Sequence, residues 1–194
     1  VYHEHLSYFS VTALQMLSKR TGMRIVDVQK TDTHGGSLRV FLKKGKMGRQ
    51  ERAVSSFINA EKRMGLSTEK PYKELARRIM KNRSSLQGLL LKLKLQGKTI
   101  AGYGAPAKAT TLLSYFAIGN DVVDYIVDDS PYKQGLFSPG LHIPVVAREM
   151  LKKTQPDYLL IIAWNFKDAI MKKNDEFRRS GGKFIIPVPT PKVI

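Results

Sequence analysis

The chain has 194 residues, 42% hydrophobic and 25% charged, enough for one large domain or a domain plus a fragment, and too apolar for a disordered polymer. It has no cysteine, which excludes disulfides and thiolate metal sites and suits a reducing compartment, so a cytoplasmic location is expected. The net charge of +17 is dispersed over residues such as Lys43, Arg77, Lys92, Lys152 and Arg178, and no apolar run is long enough to span a bilayer; the reading is a solvated lysine-rich surface, with neither nucleic acid nor membrane as a partner.

The first element is a helix capped by Ser10, with Val11, Leu14 and Leu17 on one face and Gly22 as its stop. An alternating strand, Met23 to Gln29, follows. The turn glycines Gly35 and Gly36 lead into a returning strand, Ser37 to Leu42. A helix and a hairpin bury too little for independence. The expectation is the closing portion of a larger domain over residues 1–44, in a chain that opens on Val1 and reads as a piece of a longer protein.

Residues 45–97 read as a helical linker. Arg49 to Met64 carries Val54, Phe57 and Ile58 at helical spacing and ends at Gly65. Pro71 opens a longer helix whose stripe Leu75, Ile79, Leu86, Leu90 and Leu93 is expected to pack, with Gly97 as its stop. Residues 98–194 then alternate: strand Thr99–Tyr103, helix Pro106–Ala117, strand Val123–Asp128, a loop, a short helix near Ala147–Lys153, strand Tyr158–Trp164, helix Lys167–Ser180 and strand Lys183–Val188. That order predicts an α/β fold with a parallel sheet covered by helices on both faces. Ligands of such sheets bind outside the carboxyl ends of the strands.

Candidate chemistry clusters at those ends. Gly102, Tyr103, Gly104 and Ala105 form a turn between strand and helix, with Lys108 in the first helical turn. Small residues let backbone approach an anion, and free N–H groups with the helix dipole favour its charge. Asp128 and Lys133 follow the next strand, the acid standing where dinucleotide folds place a ribose-binding carboxylate. His142 sits in a rigid loop between Pro139 and Pro144, and Trp164 with Asn165 ends a very apolar strand. Far upstream, Tyr2, His3, Glu4 and His5 form the densest titratable cluster, suited to proton transfer more than to metal binding. His34 lies in a glycine turn with Arg39 on the strand beside it, and that guanidinium suits phosphate or a carbonyl oxygen. The turn and Asp128 also fit an NAD(P)-binding Rossmann module, with Ala107 standing where a third glycine is usual.

Six strings in order resemble one family: Tyr2-His3-Glu4-His5, His34-Gly35-Gly36-Ser37-Leu38-Arg39, Gly102-Tyr103-Gly104-Ala105-Pro106-Ala107-Lys108, Tyr132-Lys133-Gln134-Gly135, Pro139-Gly140-Leu141-His142-Ile143-Pro144 and Ala163-Trp164-Asn165. They are similar to the C-terminal half of the sugar C-methyltransferases that use S-adenosylmethionine and act on nucleotide-linked keto-deoxysugars. The resemblance implies three things about layout. Residues 1–44 are the helix-and-hairpin tail of a class I methyltransferase domain, residues 98–194 form a Rossmann-like domain holding a nucleotide-diphosphate sugar (a dTDP-sugar by preference), and zinc belongs only to a module outside this chain. It implies His5 as general base with Tyr2 and Glu4 as companions, and S-adenosylmethionine bound mostly outside this chain. The expected substrate-binding set is His34, Arg39, Gly102, Tyr103, Gly104, Ala105, Lys108, Asp128, Lys133, His142, Trp164 and Asn165, and no metal ligand is expected here.

Overall fold

The computed structural model describes residues 5–33, 36–45 and 51–194, so Tyr2, Glu4 and His34 lie outside the described residues. The chain divides into two compact units, one spanning His5–Arg77 and the other holding Arg78–Ile194.

In the first unit, helix α1 (Val11–Arg20) starts at Ser10, whose hydroxyl accepts from the Ala13 amide at 3.1 Å. A second acceptor comes from afar. Glu61, buried on α2 (Arg52–Met64), takes the amides of Val11 at 2.6 Å and Thr12 at 2.8 Å. A carboxylate thus stands where the helix dipole is positive. Strands β1 (Met23–Thr31) and β2 (Ser37–Lys44) pair antiparallel, with a register shift between Ile25 and Asp27. The small core gathers Val11, Ile25, Val28, Val54 and Ile58.

Helix α3 (Lys70–Leu95) buries only part of its expected stripe. Leu86, Leu90 and Leu93 enter the core, whereas Leu75 and Ile79 remain exposed. Spacing identified the helix face correctly but could not say how far along the axis a neighbour extends.

The second unit contains β3 (Ile100–Tyr103), α4 (Ala107–Phe116), β4 (Ile126–Val127), β5 (Val145–Val146), α5 (Met150–Thr154), β6 (Tyr158–Ile161), α6 (Lys167–Lys173), α7 (Asp175–Arg179), β7 (Lys183–Ile186) and β8 (Lys192–Val193). The six-stranded sheet has the order β5-β4-β3-β6-β7-β8, parallel except for β8 against β7. The first strand lies centrally. The chain winds outward through β4 and β5, then crosses over to β6 and β7. That is the doubly wound Rossmann-like pattern, whose switch point falls between β3 and β6. Helices α3 and α4 cover one face, with Leu86, Leu90, Leu112, Leu113 and Phe116 on Ile100, Ile126 and Leu160. Helices α5, α6 and α7 cover the other through Leu151, Ile170 and Phe177.

Three details depart from the expected elements. Strands β5 and β8 were not foreseen; with two residues each they carry no periodicity. The helix expected over residues 167–180 breaks at Asn174. That buried side chain donates to the Ile170 carbonyl at 2.8 Å and accepts from Arg148 Nε at 3.2 Å, which competes with helix continuation.

Candidate functional site

The glycine turn sits at the switch point because β3 ends there. Gly104 has φ +88°, and a Cβ on it would lie 2.5 Å from the Ala163 Cβ. Only glycine lets the exits of β3 and β6 come this close. Gly102 has a different task. It lies inside β3, where a Cβ would lie 2.7 Å from Ile162 Cδ1, so it is a packing glycine and not part of the mouth.

Alternation along β3 sends Tyr103 to the face opposite α4. Its hydroxyl donates to Asp129 Oδ1 at 2.9 Å, and Lys173 Nζ stands 2.6 Å from the same oxygen. Burial, foremost, pushes the Tyr103 hydroxyl up to about 12. Burial also works to raise Asp129, but the Lys173 and Tyr103 hydrogen bonds outweigh it and hold the carboxyl below its ordinary value. Tyr103 is therefore a member of a satisfied network on the far face.

Asp128 is turned into the glycine turn. Its Oδ2 accepts the Ala105 amide at 2.7 Å and its Oδ1 the Ser130 amide at 2.9 Å. Lys133 Nζ donates to the Ala105 carbonyl at 3.0 Å and stands 3.5 Å from Asp128 Oδ2. Three of about four lone-pair positions are committed, and the residue is only 8% exposed. A pair of ribose hydroxyls would find no free carboxylate here, and the dinucleotide-binding alternative loses its main residue.

Lys108 departs from Lys133 in its partner. Its Nζ lies 4.9 Å from the centre of the Trp164 ring, and burial lowers its pKa. Trp164 opens a short 3-10 turn, Trp164–Phe166, directly after the β6 exit, so this pair bridges the switch-point crevice. On the other flank of the turn lies a cavity of about 130 Å³, bounded by Ala105, Pro106 and Thr110 of the turn and α4 and by Leu136, Phe137 and Pro139 of the following loop. No sequence reading singled out Thr110, Leu136 or Phe137. The available signal was the apolar pair Leu136-Phe137 between the turn glycines Gly135 and Gly140.

The structure thus gathers Gly104, Ala105, Lys108, Asp128, Lys133 and Trp164 around one turn. Asn165 is exposed beside Trp164, and His142 is exposed at φ +51° and does not line the cavity. His5 and Arg39 belong to the first unit. His5 is exposed, its ring 6.2 Å from that of Tyr8, and Arg39 faces Gln29 across the hairpin. Among the described residues no group of three or more His, Cys, Asp or Glu could hold a metal ion, and no helix is long and apolar enough to cross a membrane.

The fold is that of a Rossmann-like α/β domain. The chain belongs to the C-methyltransferase C-terminal domain family, whose profile matches residues 32–189. It is also 38% identical, over 195 aligned residues, to the C-methyltransferase NovU of Streptomyces niveus. That alignment covers 100% of this chain and 46% of the relative, so the chain spans about half the length of the curated relative it matches.

Proposed function

We propose that this chain is the substrate-holding part of an S-adenosylmethionine-dependent C-methyltransferase that methylates a carbon next to the keto group of a nucleotide-linked deoxysugar. The observation carrying this reading is the crevice at the switch point. At the turn that only Gly104 can make, Lys133 pairs with Asp128, whereas Lys108, in the first turn of α4, lies over the Trp164 ring and has no carboxylate partner among the described residues. A diphosphate suits that arrangement, and a C-methyltransferase that takes an activated sugar needs such a handle.

The chemistry falls to the first cluster. A proton on a carbon beside a ketone is acidic because the resulting charge spreads onto the ketone oxygen. His5 takes that proton, imidazole being the side chain suited to exchanging protons near neutral pH. Tyr2 donates to the developing oxyanion, and Glu4 orients the imidazole. S-adenosylmethionine supplies the methyl group. Its seat is assigned, as part of this reading, mostly to residues outside this chain. The zinc module is likewise assigned to residues outside this chain, and the protein to the cytoplasm.

The test uses the full-length enzyme with its sugar nucleotide. His5→Gln is expected to abolish methyl transfer and the exchange of the substrate's α-proton with heavy water, with nucleotide-sugar affinity retained. Retained exchange would remove His5 as the base. Thymidine diphosphate failing to bind the 194-residue chain at millimolar concentration would remove the nucleotide reading itself.

A further inference from the structure

Two features flank the glycine turn, and they differ in chemistry. On the β6 side stands an ammonium over an indole face. On the β4 side stands an apolar cavity with one lysine at its edge. The cavity, about 130 Å³, is well below the roughly 300–1,000 Å³ of sites that enclose whole drug-sized ligands, so it suits a single ring.

The loop bounding that cavity is held in place. The Val145 amide donates to the Leu136 carbonyl at 2.8 Å, the Ser138 amide to the Ile143 carbonyl at 2.8 Å, and Phe137 bridges Pro144. Yet the side chains of Leu136 and Phe137 stay 57% and 60% exposed beside the cavity. A fixed backbone presenting two large apolar side chains to solvent at a cavity's rim is a surface shaped for a partner. Because Ala105 and Pro106 belong both to the turn and to the cavity wall, a ligand whose phosphates meet the turn reaches the cavity with its next group.

The geometry points to a division of the ligand across the turn: Lys108 and Trp164 receive the phosphates of a nucleoside diphosphate, and the cavity beneath Leu136 and Phe137 receives its planar base. This rests on the nucleotide reading proposed above. It adds a base subsite that includes Thr110, Leu136 and Phe137. It also makes Lys108 a shared cation, drawn from the indole face to phosphate. Trp164 is the chain's single tryptophan, so its emission reports that exchange directly.

The experiment measures pyrophosphate and thymidine diphosphate binding to the 194-residue chain by calorimetry and by Trp164 emission. The variants are Phe137→Ala and Lys108→Met, with Phe137→Leu as a milder companion and circular dichroism as the check on folding. In the parent chain thymidine diphosphate binds more tightly than pyrophosphate, and both change the emission. Phe137→Ala shrinks the preference for the nucleotide about tenfold, within the range found for base–aromatic contacts, and leaves pyrophosphate binding within about twofold. Phe137→Leu falls between. Lys108→Met weakens both probes roughly tenfold or more and abolishes the emission change caused by pyrophosphate. An unchanged nucleotide preference in Phe137→Ala overturns the base subsite. Pyrophosphate binding with unaltered parent emission overturns the role of Lys108. Neither outcome touches the nucleotide reading, which falls only if thymidine diphosphate does not bind the parent chain at all.

Discussion

The two units bury their apolar residues very differently. Around residues 100–186 a central sheet is covered on both faces, and strand residues such as Ile100, Leu159 and Ile161 are fully enclosed. The unit over His5–Arg77 has a two-stranded sheet with a small core, and it leaves Leu6 88%, Met16 65% and Tyr8 62% exposed. The lesson is where stability resides. Apolar area sustains the second unit. In the first, the long-range polar tie of Glu61 to the start of α1 counts for much more of the whole.

The sharpest way to break the comparison is Gly104→Val in the second unit. A left-handed backbone and a 2.5 Å clash with Ala163 Cβ combine to cost roughly 3–5 kcal/mol. Chemical denaturation followed by Trp164 emission reads it; a shift under 1 kcal/mol would mean the turn can relax. Next comes Glu61→Ala, expected to cost roughly 2–3 kcal/mol by stripping the Val11 and Thr12 amides of their acceptor. Hydrogen exchange should show the loss as reduced protection in α1. Unaltered protection would refute the tie. Asp128→Ala should cost about 2 kcal/mol, because the Ala105 and Ser130 amides lose their acceptor together.

A smaller effect tests the opposite end of the sheet. Asp157 accepts the Thr99 amide at 2.9 Å and pairs with Lys98 at 2.9 Å. The Thr99 backbone bond, then Lys98, hold its pKa down at about 2 against an ordinary 3.8. The sign follows from linkage: a depressed acid stabilises the fold above its unfolded pKa, so that stability is present above about pH 4 and drains away as pH falls toward 2. Lys98, raised chiefly by its hydrogen bond to Asp157, adds stability that is lost only in strong alkali, as pH rises past its elevated value. Asp157→Asn should flatten the acid limb of the stability profile; an unchanged limb would assign acid sensitivity elsewhere. Leu75→Ser comes last, at within about 0.5 kcal/mol, since Leu75 is exposed on α3.

Much of the fold was legible because its signals are local. Ser10 and Gly65 mark helix ends through bonds and angles within a turn of themselves, and the apolar run Tyr158 to Ala163 announces a buried parallel strand. The glycine turn was legible as a turn. Its members were not legible one by one, because Gly102, Tyr103 and Gly104 differ only in which neighbour each faces. That depends on Ile162, Asp129 and Ala163, residues far along the chain. Leu136 and Phe137 escaped notice because a loop has no period to show which of its side chains border a cavity.

Sequence alone determined the alternation of strand and helix, the place of the glycine turn between them and the ordered strings shared with the family, since propensity, capping and motif order act over a few residues. Tertiary structure decided that Asp128 braces the turn instead of waiting for a ribose, that Lys108 rests on Trp164, and that a ring-sized cavity opens beside them. Those depend on contacts between residues some 20 to 60 positions apart, and distance along the chain carries no record of which side chain will meet which.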